Sequence, residues 1–242
     1  MNKKIVMFDM DGTLTEPRQH FNSKALESAL YQLINADIHI GIITGSDEDY
    51  LREQMGSFLN NSSCRYKTHL MPCNGTKYFK PPEFSNQDFK LSKEVCMRTH
   101  MGTKDYRNLI QELVFSQVDM TNEGIPLTGH FINCRGSMIN WCPIGRNAGS
   151  DDREIFMILD QKKGLRKRAL QVTIKFGGDT SFDIYPKGWD KTYGLRHFQG
   201  WEVWFVGDRC EPSGNDYELY EACLDRSYVT SGPEHTREIV QS

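Results

Sequence analysis

Apolar runs and helix-spaced apolar positions alternate over the first eighty residues. Ile5-Val6-Met7-Phe8 predicts a buried strand. Leu26, Ala29, Leu30, Leu33 and Ile34 recur at helical spacing, with Asn22 or Ser23 placed as the cap. Ile38–Ile43 reads as a second buried strand, ending at Thr44-Gly45-Ser46-Asp47. Ser46 stands where it can cap a helix running through Tyr50, Leu51 and Met55. Strand, helix, strand, helix in this order implies a parallel sheet with helices on its faces. Such sheets take ligands beyond the C-terminal ends of their strands. Asp9, Asp11, Thr44 and Ser46 all fall at such ends.

The pattern changes after Pro81-Pro82. A helical stretch around 105–118 is followed by strand-like runs at 131–134 and 138–141, which flank Arg135-Gly136 as a hairpin tip. A further helix begins after Ser150, with Asp151 and Glu154 in its first turn. Residues 171–176 and 181–185 then flank the turn Gly177-Gly178-Asp179. Strands joined by hairpins suggest an α+β unit with an antiparallel sheet. The alternating pattern returns with Lys191, Leu195 and Phe198 as a helix and 201–206 as a strand ending in Gly207-Asp208. Gly214-Asn215-Asp216 and a helix through Leu219 and Ala222 follow. The predicted fold is an α/β, Rossmann-like core of residues 1–81 and 188–242, with an inserted α+β cap at 82–187.

Composition narrows the function classes. A net charge of −3 over 242 residues argues against a nucleic-acid partner, since phosphate backbones demand dense positive charge. The basic cluster from Lys162 to Lys175 reads as a solvated helix face. Seven cysteines without a Cys-x-x-Cys pair suit reduced thiols better than a disulfide framework or a zinc site. No apolar stretch reaches membrane-spanning length, and the N-terminus has no signal-peptide core. The expectation is a soluble cytoplasmic protein with neither a membrane nor a nucleic-acid partner.

The chemistry starts at Phe8–Thr15, reading Phe-Asp-Met-Asp-Gly-Thr-Leu-Thr. Alternate residues of an extended chain point the same way, so Asp9 and Asp11 can face one reaction centre. Two carboxylates that close need a cation or a shared proton. This assigns Asp9 as nucleophile and Asp11 as general acid/base. Asp208, at another strand end, completes a magnesium set with Asp9 and the Asp11 backbone carbonyl, because magnesium takes hard oxygen ligands. Lys191 balances charge on the nucleophile and an incoming phosphoryl group. Arginine forks suit a distal phosphate, and Arg18, Arg135, Arg146 and Arg153 are the candidates. Arg153, in the first turn of a helix, would add free backbone donors. Ser181 and Asp183 share one face of a strand and suit a hydroxyl-rich ligand. Taken one at a time, each of these residues is an ordinary surface side chain, and an acidic Asp-Gly turn after a strand is common.

Phe8–Thr15 resembles motif I of the haloacid dehalogenase superfamily. The longer string from Asp9 to Gln19 resembles the eukaryotic-type phosphomannomutases. The likeness extends through Gly45-Ser46-Asp47, Asn74-Gly75, Pro143-Ile-Gly-Arg146, Ser181-Phe-Asp183, Gly188-Trp-Asp-Lys191, Gly207-Asp208 and Gly214-Asn-Asp216. The resemblance implies interconversion of mannose 6-phosphate and mannose 1-phosphate through an aspartyl-phosphate on Asp9. It also implies Mg2+ as cofactor, a hexose 1,6-bisphosphate as activator, and a homodimer formed through the cap. By matching position, Asp11 would be the acid/base and Asp208 a magnesium ligand. Arg18, Arg135, Arg146, Arg153, Ser181 and Asp183 would hold sugar and distal phosphate, and Thr44 or Ser46 the transferring phosphoryl group. Thr44 departs from the family's glycine and resembles the superfamily's phosphatases, which makes a magnesium-dependent sugar-phosphate phosphatase the alternative. A second cation site assigned in the family is not carried over, because Ala222 and Asp225 stand at two of its three positions.

Overall fold

The computed structural model of the chain describes residues 3–168, 174–177 and 180–242. Five strands open the chain: β1 (Lys4–Phe8), β2 (Ile38–Ile43), β3 (Thr68–Met71), β4 (Lys77–Lys80) and β5 (Lys90–Glu94). Four belong to the middle: β6 (Ile132–Cys134), β7 (Ile139–Trp141), β8 (Ile174–Gly177) and β9 (Ser181–Ile184). β10 (Glu202–Gly207) and β11 (Ser227–Val229) close it. They form a seven-stranded sheet of order β11-β10-β1-β2-β3-β4-β5 and a four-stranded sheet of order β6-β7-β9-β8. In the larger sheet β11 through β3 run parallel, while β4 and β5 are added antiparallel. The smaller sheet is antiparallel throughout.

The apolar runs become central strands because both faces of the larger sheet are covered. Along β1, Ile5 and Met7 join one core cluster with Ile43, Phe205 and Leu219, while Phe8 joins the other with Leu30, Ile40 and Ile42. This is the two-residue alternation of a strand buried on both sides. The helix Lys24–Asn35 is capped by Ser23, whose hydroxyl accepts from the Leu26 amide at 3.2 Å. The next helix, Glu48–Gln54, is capped by Asp47 and not by Ser46: the Asp47 carboxylate accepts from the Tyr50 amide at 3.1 Å. Lys191–His197 is a 3₁₀ helix, tighter than the helix its spacing predicts, and begins from Asp190, which accepts from the Thr192 amide.

The chain divides into two compact units, residues 1–94 with 188–242, and residues 95–187. The first boundary therefore lies at 94/95 and not at 81/82. Pro81-Pro82 sits in the connection between β4 and β5, which pair with each other as part of the larger sheet. In the second unit the helix Thr103–Thr121 is tied to the sheet through Gln117. Its amide oxygen accepts from Trp141 Nε1 at 2.7 Å, and its nitrogen donates to the Pro143 carbonyl at 2.9 Å. Trp141 stacks on Phe182, with ring centroids 4.8 Å apart. The turn predicted at Gly178-Asp179 lies outside the described residues. Of the basic cluster, Arg166 pairs with Asp160 at 2.6 Å and Lys163 with Glu123 at 3.0 Å. No helix among the described residues is long and apolar enough to cross a membrane.

Three polar rings are threaded between β2, β3 and β4. His39 Nδ1 lies 3.0 Å from His69 Nε2, and His69 Nδ1 lies 2.9 Å from the Tyr78 hydroxyl. Burial, with help from neighbouring His39, Lys3 and Lys80, drives the His69 pKa down to about 3. The folded protein keeps His69 neutral while the unfolded chain protonates it below about 6.5. Its contribution to stability is therefore complete above that pH and is lost as pH falls toward 3. Urea unfolding of wild type and His69→Gln at pH 7, 6 and 5 tests this. The variant's loss of stability with acid should be shallower by up to about 1.4 kcal/mol per pH unit, the slope of one proton. Parallel slopes would contradict it.

Candidate active site

β1 lies between β10 and β2, all parallel, so their C-terminal ends emerge side by side. Asp9 follows β1 directly, and its amide donates to the Val206 carbonyl on β10 at 3.0 Å. Asp208 follows β10, and Thr44 follows β2. Against this edge lies Lys191, only 1% exposed. Its ammonium donates to Asp9 Oδ1 at 2.5 Å and to Asp216 Oδ1 at 2.5 Å. Asp9 is 4% exposed and Asp216 fully buried. Asp216 is held in turn by the Arg209 amide, which donates to its Oδ2 at 3.2 Å. Gly207 makes room for that carboxylate: a Cβ there would lie 2.7 Å from Asp216 Oδ2.

The site holds more negative charge than its lysine can match. Burial comes first in raising the Asp9 pKa well above the usual carboxylate range; Lys191 pulls it down, while Asp216 and Asp208 push it up. Asp208 is pushed up to about 6, by burial and then by Asp216. Burial works against the Lys191 ammonium, but Asp216 and Asp9 outweigh it, so its pKa rises and it stays charged. Three carboxylates around one ammonium call for another cation or a proton. Oxygens of Asp9, Asp208 and Asp216 lie within 4.8 Å of one another, the grouping a metal ion requires. Asp208 Oδ1 is buried without a hydrogen-bond partner among the described residues. Beside it Gly12 takes φ +80°, and a Cβ there would collide with Asp208 Oδ2. These residues fit a hard divalent cation.

Asp11 is turned to a different set of partners. Its Oδ1 accepts from the Arg18 amide at 2.8 Å and from Gln54 Nε2 at 2.9 Å. Both of these bonds fall on Oδ1 and neither on Oδ2. Arg18 itself has φ +64° and is exposed. Thr44 is buried, and its hydroxyl accepts from the Ser46 amide at 3.1 Å.

The second unit gathers the other predicted residues around one that the sequence reading missed. Asn140, buried on β7, donates to Asp183 Oδ1 at 2.8 Å and to the Ser181 hydroxyl at 3.2 Å. Its amide oxygen accepts from Arg146 Nη1 at 2.8 Å. Arg135 pairs with the same Asp183 oxygen at 3.9 Å. Arg153, in the first turn of the helix Ser150–Lys163, has its side chain tied to its neighbours. It donates to the Ala148 carbonyl at 2.9 Å and to the Thr180 hydroxyl at 2.7 Å.

A family model described as eukaryotic phosphomannomutase matches residues 26–242. The chain belongs to the eukaryotic phosphomannomutase family. The phosphomannomutase of Solanum lycopersicum is 31% identical over 96% of this chain and 90% of its own length. That of Drosophila melanogaster is 31% identical over 98% and 93%. Among solved structures, an IMP-bound IMP-nucleotidase of Plasmodium falciparum superposes with a TM-score of 0.63. It is 16% identical over 99% of this chain and 68% of that one, a likeness of fold alone. SMU.1108c from Streptococcus mutans gives 0.58 at 14% identity, over 98% and 97% of the two chains.

In the first unit of this phosphomannomutase-family chain Asp216, like Asn140 in the second, is a residue without a role assigned from the sequence. Its signal was the Gly214-Asn215-Asp216 turn before a helix, beside a buried lysine that requires more than one acid. The Gly12 cradle gives a direct test of the cation site. Gly12→Ala should weaken magnesium binding at least tenfold in isothermal titration calorimetry. Unchanged affinity would remove Asp208 from the cation site.

Proposed function

We propose that the protein interconverts mannose 6-phosphate and mannose 1-phosphate through an aspartyl-phosphate on Asp9 and a hexose 1,6-bisphosphate. The observation that carries this reading is the buried Lys191 bridging Asp9 and Asp216. An ammonium fixed on the nucleophilic carboxylate offsets the charge that accumulates when a phosphate dianion approaches. The Asp9 oxygen attacks phosphorus as the bond to the sugar oxygen breaks, and Asp11 Oδ2 gives its proton to that oxygen. In the return step a hexose monophosphate bound in the reverse orientation presents its free hydroxyl: Asp11 takes that proton, the oxygen attacks phosphorus, and the bond to Asp9 breaks to give the bisphosphate and free Asp9. Magnesium, when bound, neutralises the phosphoryl oxygens. Asp9, Asp208 and the Asp11 backbone carbonyl would hold it, with Asp216 at hand.

A mutase must hold one phosphate while the other reacts and then accept the reversed sugar. The network of Arg135, Arg146, Arg153, Ser181 and Asp183 supplies forks and hydroxyl partners for that task. Arg18 would add a further cation from the first unit, with Thr44 or Ser46 contacting the phosphoryl group. A homodimer through the second unit is supported by its exposed apolar side chains. Phe115 and Val118 lie on one helix and Ile158 on another, each more than half exposed. The seven cysteines are thiols and not disulfides, which suits the reducing cytoplasm.

Thr44 favours a second reading, hydrolysis of sugar phosphates, in which water accepts the phosphoryl group. Phosphorus NMR with mannose 1-phosphate, magnesium and a trace of hexose bisphosphate separates the two. A growing mannose 6-phosphate signal without matching inorganic phosphate is expected, and Asp9→Asn should abolish it while leaving the fold intact. Inorganic phosphate as the main product would hand the activity to the hydrolytic reading.

A further inference from the structure

Among the described residues, only Cys73-Asn74-Gly75 places three consecutive residues at positive φ: 51°, 61° and 80°. Two of the three are not glycine, and the turn is buried. Such a backbone persists only when its surroundings hold it. Two sets of contacts do so. On one side the Cys73 amide donates to the Ser46 carbonyl and the Asn74 amide to the Thr44 carbonyl, each at 2.8 Å. On the other side Asn74 Nδ2 donates to the Trp189 carbonyl at 3.2 Å, reaching 115 residues along the chain. His197 Nε2 lies 2.7 Å from the Gly75 carbonyl, and a Cβ on Gly75 would lie 2.8 Å from Gly194 Cα. The turn thus grips the 3₁₀ helix near both ends.

The Trp189 carbonyl stands two residues before Lys191. Between them Asp190 starts the helix by accepting from the Thr192 amide at 2.9 Å. The path of the chain into Lys191 is therefore set by the Asn74 side chain on one side and the Asp190 cap on the other. We propose that Asn74 is a positioning residue for phosphoryl transfer: its amide, through the Trp189 carbonyl, fixes Lys191 against Asp9. The left-handed backbone of Asn74 serves this end, because it turns the side chain toward Trp189 while the main chain stays tied to Thr44. The inference rests on the reading above in taking Asp9 as nucleophile and Lys191 as its partner.

Two substitutions separate the amide from the backbone. Asn74→Gly keeps the left-handed conformation accessible and removes the donor. Asn74→Asp keeps shape and tolerance for positive φ but faces the Trp189 carbonyl with an acceptor. Wild type is assayed first, so an inactive wild type counts against the mutase reading and not against Asn74. Both variants should melt within a few degrees of wild type, keep KM for mannose 1-phosphate within twofold, and lose at least tenfold in kcat. A glycine variant with wild-type kcat would overturn the proposal, since the turn would then matter only as backbone. Crystal structures of wild type and Asn74→Gly give an answer without turnover. Lys191 Nζ displaced from Asp9 Oδ1 in the variant supports the positioning role, and an unmoved Lys191 overturns it.

Discussion

A lysine ammonium cannot stay charged in a protein interior unless carboxylates surround it, and those carboxylates cannot stay ionised without it. Lys191 imposes this mutual requirement on a chain that must bring together residues 182 and 25 positions apart, Asp9 and Asp216. The parallel placement of β10 beside β1 meets it by setting the Asp9 and Asp208 ends of two strands next to each other. Three glycines then become obligatory for reasons of space or backbone. Gly12 and Gly207 leave room for the Asp208 and Asp216 carboxylates, and Gly75 lets the neighbouring turn close on the lysine's helix. The surplus of negative charge that remains is what makes Asp9, Asp208 and Asp216 fit a hard divalent cation.

The second unit solves a related problem with neutral and cationic donors. Asp183 and Arg146 are both partly or wholly out of solvent, and Asn140 satisfies one with its nitrogen and the other with its oxygen. A buried amide that donates and accepts at once fixes a charged network without adding charge. Arg146 and Arg135 are thereby held in place within one network.

Much of this was legible in the chain. The run Ile5–Phe8 and its acidic end, the second strand, the hairpin around Arg135-Gly136 and the core-forming positions of the first helix all follow from periodicity. Other parts were hidden for physical reasons. β3, Thr68–Met71, has no clean alternation; it is buried because the Thr68 hydroxyl bonds the Cys64 carbonyl and His69 bonds Tyr78 and His39. β4 and β5 are short and rich in lysine and present no apolar run, so Pro81-Pro82 looked like a boundary. The last helix, Pro233–Gln241, is polar in sequence, yet its Thr236 is buried and bonds the Thr13 carbonyl at 2.8 Å. Asn140 did leave a trace, a lone amide within the apolar run Met138–Trp141. Asp216 became interpretable only once Lys191 was seen to be buried, which no local pattern shows.

If Asp9 receives the phosphoryl group, the modified residue can be trapped and located. Rapid quenching after mixing with a hexose 1,6-bisphosphate and magnesium, then borohydride reduction and peptide mass spectrometry, locates the modified residue. Reduction converts an aspartyl-phosphate to homoserine. Homoserine at position 9 and nowhere else is the predicted result. A phosphorylated hydroxyl at Thr44 or Ser46 with Asp9 untouched would rule Asp9 out as the nucleophile.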